Sequence, residues 1–264
     1  MDNHVKNDEY KGYQIEILYD ECPDNPRNWE NVFTMACWSR NYNWGDVDND
    51  EYKEPVNYLR HLVRMHVPEI EVVQRAHTNG KKEEGTIRLK YNRSTREWDL
   101  QTYVRYGVPG LWMSEPYWDV DSSFANKESA YENIVDILHD EACMELLEKY
   151  LYIVPLSVYD HSAVKIYAGV PCCRWDSGQV GFAYVARKDY ANQENFDEWA
   201  DKAIDKECEL YTRYLNGWVY GLIVTKLDAD GNKTDEEVEN CWGFYEDSDE
   251  VEDYAKNMID SLVD

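Results

Sequence analysis

The sequence predicts an α+β fold: a mainly antiparallel sheet with three to four amphipathic helices packed on it. Three observations predict it. β-type runs come in pairs around turn-forming segments, as in residues 85–106 around Asn92-Arg93-Ser94 and residues 218–245 around the Asp228–Glu236 segment. Apolar residues at helical spacing are confined to a few separate blocks. Those blocks follow runs of strands instead of alternating strictly with them, which argues against a parallel βαβ construction.

In chain order, YQIEILY (13–19) alternates as a strand, and VFTMACW (32–38) reads as its neighbour. Between them DECPDNPRNWEN is a Pro- and Asn-rich loop, and SRNYNWGDVDND (39–50) is polar and turn-forming. A helix is expected over about 51–66, with Val56, Leu59, Leu62 and Val63 on one face and Pro68 as its stop. Residues 70–83 show no clear period, and Asn79-Gly80 marks a turn. GTIRLKYN and REWDLQTYVRY form a hairpin, and 108–125, with Trp112, Tyr117 and Trp118, reads as aromatic loop. A long helix is expected over 127–150, capped by Asn126, with Ala130, Ile134, Ile137, Leu138, Cys143, Leu146 and Leu147 at helical spacing. Strands near 151–158, 163–168 and 179–186 precede a helix over 193–215 that Asn216-Gly217 ends. A final hairpin, 218–227 with 238–245, leads to an acidic amphipathic helix over 249–262. The 264 residues are expected to form a single α+β domain. If the chain subdivides, the break falls in 108–126, between parts 1–107 and 127–264.

The charge balance narrows the function. Fifty-three Asp and Glu face 27 Lys and Arg, a formal charge of −26. Such a surface repels phosphate backbones and anionic lipid, so direct nucleic-acid binding and a membrane role are not expected. It attracts basic surfaces instead, and solubility alone is the plainer reading of the same number. Twenty-two Tyr and ten Trp supply ample burial, which argues for a folded chain. Seven scattered cysteines without a CxxC pair resemble reduced cytosolic thiols. The first ten residues have no apolar core and no run reaches bilayer length, so a cytoplasmic protein is expected.

Candidate chemistry concentrates in YDHSAVKIYAGVPCCRWDSGQVGFAYV (159–185), where polar side chains interrupt β-type sequence. Asp160, His161, Ser162, Asp176, Ser177 and Gln179 are the catalytic candidates. A histidine beside carboxylates can act as a base, and either serine could serve as nucleophile. Against this, neighbours along a strand point to opposite faces, and no GxSxG elbow surrounds either serine. The plainer reading is a tight loop whose Asp and Ser bond backbone amides, with Trp175 as a packing anchor.

Asp46, Asp48 and Asp50 have the spacing that opens an EF-hand loop and could hold Ca²⁺ or Mg²⁺. Glu51 stands where that loop needs glycine and Asn57 where it needs its closing glutamate, so a solvated acidic turn is the alternative. His4, His61, His66, His77 and His139 offer no metal-ligand spacing, and no glycine-rich phosphate loop is present. No cofactor is expected beyond that divalent cation. The C-terminal acids Asp235, Glu236, Glu237, Glu239, Glu246, Asp247, Asp249, Glu250, Glu252 and Asp253 form the candidate partner-binding surface. Carboxylates spaced along helices and loops can imitate a phosphate ladder.

Four segments, 19–46, 156–190, 211–224 and 239–247, carry a resemblance; among them are the motifs YDHS, WDSGQVGF and CWGFY. They resemble a family of uncharacterised proteins of prophages, plasmids and conjugative elements, chiefly of Firmicutes and gut bacteria. Departures fall at Ala163, where the family pattern has glycine, at Cys172-Cys173-Arg174, where one Cys precedes a Pro, and at the acidic run 46–50, where a basic residue is expected. The resemblance implies a mobile-element setting in a bacterial host and no mechanism. Together these features lead to the expectation of a binding protein. It would inhibit a host defence or nucleic-acid-processing complex either by occupying its basic nucleic-acid-binding surface, as a nucleic-acid mimic, or by masking another face. The alternative is a metal-assisted hydrolase using Asp160, His161 and Asp176.

Overall fold

Antiparallel pairing organises the chain, and the fold is α+β. The computed structural model describes residues 3–39, 44–48, 50–69, 71–72, 87–104, 117–173 and 175–263. Within them eleven strands form three sheets. The first runs β1 (His4–Tyr10), β2 (Tyr13–Tyr19), β10 (Tyr220–Leu227), β11 (Lys233–Phe244). The second runs β3 (Thr34–Cys37), β9 (Ser177–Ala186), β7 (Leu151–Asp160), β8 (Val164–Ala168). The third is β4 (Ile87–Asn92), β5 (Glu97–Val104), β6 (Tyr117–Phe124). Five helices accompany them: α1 (Pro55–His66), α2 (Lys127–Asp136), α3 (Asp140–Leu147), α4 (Phe196–Leu215) and α5 (Ser248–Val263).

Three expectations need correction, and one strand has no counterpart among them. β1, HVKNDEY, is a strand without an apolar alternation, because it is a sheet edge whose side chains stay largely wet. It turns into β2 through Lys11 and Gly12, both at positive φ (47° and 81°), the geometry of a tight two-residue hairpin. β3 does not neighbour β2; it pairs with β9 in another sheet. Residues 117–124 are a strand that completes the third sheet, since their aromatic and β-branched content finds β5 as partner. The helix expected over 127–150 is two helices. Asn126 caps the first as anticipated, its side chain accepting the Ser129 amide at 2.8 Å. The chain then leaves helical geometry at His139, which is extended (φ −88°, ψ 168°), and Asp140 restarts it. The Asn79-Gly80 turn, Trp112 and most of the 70–83 segment lie outside the described residues.

Helix faces and sheet faces meet in three apolar clusters. α5 places Val251, Ala255 and Ile259 on Ile15, Ile17, Leu222 and Val224 of the first sheet. α4 sets Ala200, Ile204, Cys208 and Tyr211 against one face of the second sheet, at Ile166, Val180, Ala183 and Val185. Its other face carries Leu151, Phe182 and Ala186, which meet Leu59, Leu62 and Val63 of α1 and the apolar sides of α2 and α3. Each fully buried aliphatic side chain contributes about 1.5–3 kcal/mol. The second sheet is therefore the layer between two helical layers.

A bulge in β9 shapes that central sheet. Leu156 pairs with Gly181 and Ser157 pairs with Gln179, so Val180 is the extra residue. Gly181 there meets β3 so closely that an added Cβ would lie 1.8 Å from the Ala36 carbonyl oxygen. Only glycine fits.

Candidate functional site

The polar stretch 159–185 becomes the end of β7, the β8 edge, and a loop that crosses β7 to reach β9. The crossing is pinned from beneath: the fully buried Ser157 hydroxyl donates to the Gly169 carbonyl at 2.7 Å. It is pinned at its far end by Ser177, whose hydroxyl accepts the Cys173 amide at 2.7 Å and donates to the Cys173 carbonyl. Asp160 and Asp176 are brought together through backbone, the Asp160 amide donating to the Asp176 carbonyl at 2.8 Å. Asp160, His161 and Ser162 are exposed in or beside the β7–β8 turn. No hydrogen bond or ion pair joins the side chains of Asp160, His161 and Asp176 among the described residues. The Ser177 hydroxyl gives its proton to that carbonyl, and among the described residues no histidine or carboxylate is hydrogen-bonded to it. Gln179 stands apart from this group, on the β9 bulge.

Trp175, expected as a packing anchor, is instead 87 % exposed at the tip of the crossing loop. Cys172 sits on the same loop, where the Tyr167 hydroxyl accepts its amide and holds its thiol below the ordinary value.

The Asp46, Asp48 and Asp50 carboxylates do not converge. Asp46 turns inward and takes two hydrogen bonds from Arg27, Nε at 3.0 Å and Nη2 at 2.5 Å, and a third from the Met35 amide at 2.8 Å. Asp48 accepts the Asp50 amide, a turn contact. Among the described residues no group of three His, Cys, Asp or Glu is placed to hold a metal ion. What sequence reading missed is the role of Arg27. Its side chain is 4 % exposed and also binds Glu207 of α4 at 2.7 Å and the Phe33 carbonyl at 2.7 Å. Burial alone would lower its pKa, but the Asp46 and Glu207 carboxylates more than offset this, and the guanidinium is held above its ordinary value. The loop between β2 and β3 is thereby fastened to α4.

The C-terminal acids divide. Glu236 pairs with Lys226, Asp249 and Glu252 share Lys6, and Glu252 also holds Lys256. Asp235, Glu237, Glu239, Glu246, Glu250 and Asp253 carry no ion pair among the described residues. Glu250 instead accepts the Asp247 amide at 3.2 Å, closing the entry to α5.

Tertiary structure then joins acidic segments that lie far apart in sequence. The Asp20 amide donates to the Val219 carbonyl at 2.8 Å, which seats the Asp20–Asp24 loop at the end of the first sheet. The Tyr245 hydroxyl donates to the Asp24 carbonyl, which sets Glu246 and Asp247 beside that loop. Arg213 of α4 bridges Asp247 at 3.0 Å and Glu209 at 3.5 Å, which brings the helix's outer face to the same place. The negative field is felt locally: Tyr245 is pushed up to about 12, first by burial and then by neighbours that include Asp24 and Asp20. Aromatic rings edge this surface. Trp29 is 45 % exposed with its ring 5.2 Å from Tyr245, edge to face, while Tyr19 and Trp218 are each 40 % exposed. Exposed rings among carboxylates suit the cationic, partly apolar side chains of Arg and Lys.

Among the described residues no helix is long and apolar enough to cross a membrane. Compared with protein-family models, with curated proteins and with solved structures, the chain finds no match in any of the three.

Proposed function

We propose that this chain is a binding protein whose acidic end, at the Asp20–Asp24 loop and the Glu246–Asp247 turn, occupies a basic surface on a partner that handles nucleic acid. The observation that carries this reading is the convergence of three separate acidic segments, with half-exposed Trp29, Trp218 and Tyr19 beside them. Charge of one sign steers association with a basic partner, and aromatic anchors supply the contacts that slow release. In the mobile-element setting that the sequence resemblance implies, the partner class is a bacterial defence or nucleic-acid-processing complex. No direct nucleic-acid contact and no cofactor belong to this reading. The hydrolase alternative draws no support from any hydrogen-bonded relay at Asp160, His161 and Asp176.

The test is a phage-plating assay in bacterial strains that each carry one defence system, with the chain expressed in each. Rescue of plating against one system is expected. The triple variant Asp20→Lys, Asp24→Lys, Glu246→Lys should abolish it, whereas an equal charge change at Glu141, Glu194 and Glu198 should not. Equal loss from both triples would reduce the effect to net charge. Binding of the purified pair should weaken steeply with salt, because the steering charges are exposed.

A further inference from the structure

A second site lies on the central sheet, independent of the acidic end. Between α1, α3 and the β7–β9 pair is a cleft of about 370 Å³ walled by Trp38, Leu59, Met144 and Phe182. Its aromatic wall is held in place. The Trp38 indole N–H donates to the Tyr52 carbonyl at 2.6 Å, and its ring lies 5.8 Å from Phe182. The indole's only donor is thus already used, and the ring offers the cleft an apolar surface.

Two polar side chains complete the lining, Gln179 and Asp140. Gln179 reaches the cleft because of the β9 bulge. By inserting Val180, the bulge puts Gln179 on the same sheet face as Phe182, although the two are three positions apart. Its amide nitrogen donates to the Gly181 carbonyl at 3.3 Å, which leaves its oxygen as the group free to accept. The Asp140 carboxylate, at the first position of α3, makes no hydrogen bond or ion pair among the described residues. Arg60, on the facing helix, is engaged with the Leu138 carbonyl at 2.8 Å and with Asn57 at 3.4 Å. Among the described residues no lysine or arginine lines the cleft. Among the described residues the side chains of the lining thus offer two acceptors, the Gln179 oxygen and the Asp140 carboxylate, and one of them is an anion.

We propose that this cleft binds a small molecule with a flat apolar body and one cationic amine, the arylalkylamine class. The body lies between Trp38, Met144 and Phe182, and the ammonium meets Asp140 and the Gln179 oxygen. Size agrees: at ~30 Å³ per non-hydrogen atom or water, the volume holds about a dozen such atoms. Asp140 is exposed and keeps its charge, so an ammonium gains a charge-assisted contact that a neutral ligand lacks, and an anion would face the carboxylate directly. The site needs no metal and no covalent step.

Three probes of matched shape test it on the full chain by calorimetry or ligand-observed NMR: tryptamine, neutral 3-ethylindole and indole-3-propionate. Tryptamine should bind at least about tenfold more tightly than 3-ethylindole at physiological salt, and indole-3-propionate least. Because the chain carries −26 overall, a preference for the cation alone is insufficient. Asp140→Asn, which removes one charge of many, should collapse the preference to within about twofold while 3-ethylindole binds as before. Met144→Trp, which fills the cleft, should abolish binding of all three. If that variant fails to fold, Gln179→Leu takes its place and should weaken tryptamine several-fold. Equal binding of the probes, no binding up to about 5 mM, or a preference that survives Asp140→Asn would each overturn the proposal.

Discussion

Arg27 and Arg213 are the same device in two environments. Each guanidinium lies between two carboxylates, and each uses α4 for one of them: Glu207 for Arg27, Glu209 for Arg213. Around Arg27 the partners Asp46 and Glu207 are 23 % and 10 % exposed; around Arg213 the partners Asp247 and Glu209 are 71 % and 66 % exposed. One carboxylate is in excess in both triads. In the buried one the chain itself absorbs that excess, because Glu207 accepts the Val32 and Phe33 amides and Asp46 accepts the Met35 amide. In the exposed one water does so, and water can be displaced. Identical chemistry is structural on the inside of the helix and available to a partner on the outside.

The largest effect should come from the buried triad. Arg27→Met leaves two carboxylates and the Phe33 carbonyl without their donor, and should cost about 3–5 kcal/mol in urea denaturation. A loss below about 1 kcal/mol would break the comparison, since Arg27 would then be no more structural than a surface pair. Arg213→Met should cost about 1 kcal/mol or less, and should not weaken partner binding, because it only adds to the negative surface. A stability loss comparable to that of Arg27→Met would erase the contrast.

The smallest effect sharpens it from the opposite sign. Glu252 has two cations where the arginines have two anions; Lys256 first and Lys6 second hold it down to about 2. A carboxylate lowered in the folded state stabilises above its unfolded value near 4.5 and loses that contribution as pH falls toward 2. Glu252→Gln should therefore flatten the acid limb of a stability–pH curve between those values, by ~0.5 kcal/mol for a pair this close to solvent. An unchanged limb would show that the pairing contributes nothing to stability.

Much of the fold was legible because it rests on local period and turn chemistry. The three strands of 151–186, α4 with its Asn216-Gly217 end, and both expected hairpins follow from patterns within a dozen residues. β1 was not legible, since an edge strand need not alternate, and β3 was assigned the wrong neighbour because pairing between distant segments leaves no local mark. The break at His139 was hidden by apolar spacing that continues across it through Leu138 and Cys143, both buried. The acidic surface was half legible. Its charges could be counted, but their meeting depends on Asp20 with Val219 and Arg213 with Asp247, contacts made across the length of the chain. Arg27 gave no signal at all: a lone arginine in a polar loop reads as solvated until Glu207 is seen beneath it.

The pairing of β2 with β10 has a consequence during synthesis. Tyr19 sits opposite Tyr220, so the first hairpin leaves the ribosome about 200 residues before the strand that completes its sheet. At about 5–20 residues per second, it waits roughly ten to forty seconds with Ile15 and Ile17 uncovered. The charged HVKNDEY strand closes the far edge of β2, so during that interval only the edge that later takes β10 is open to a wrong neighbour.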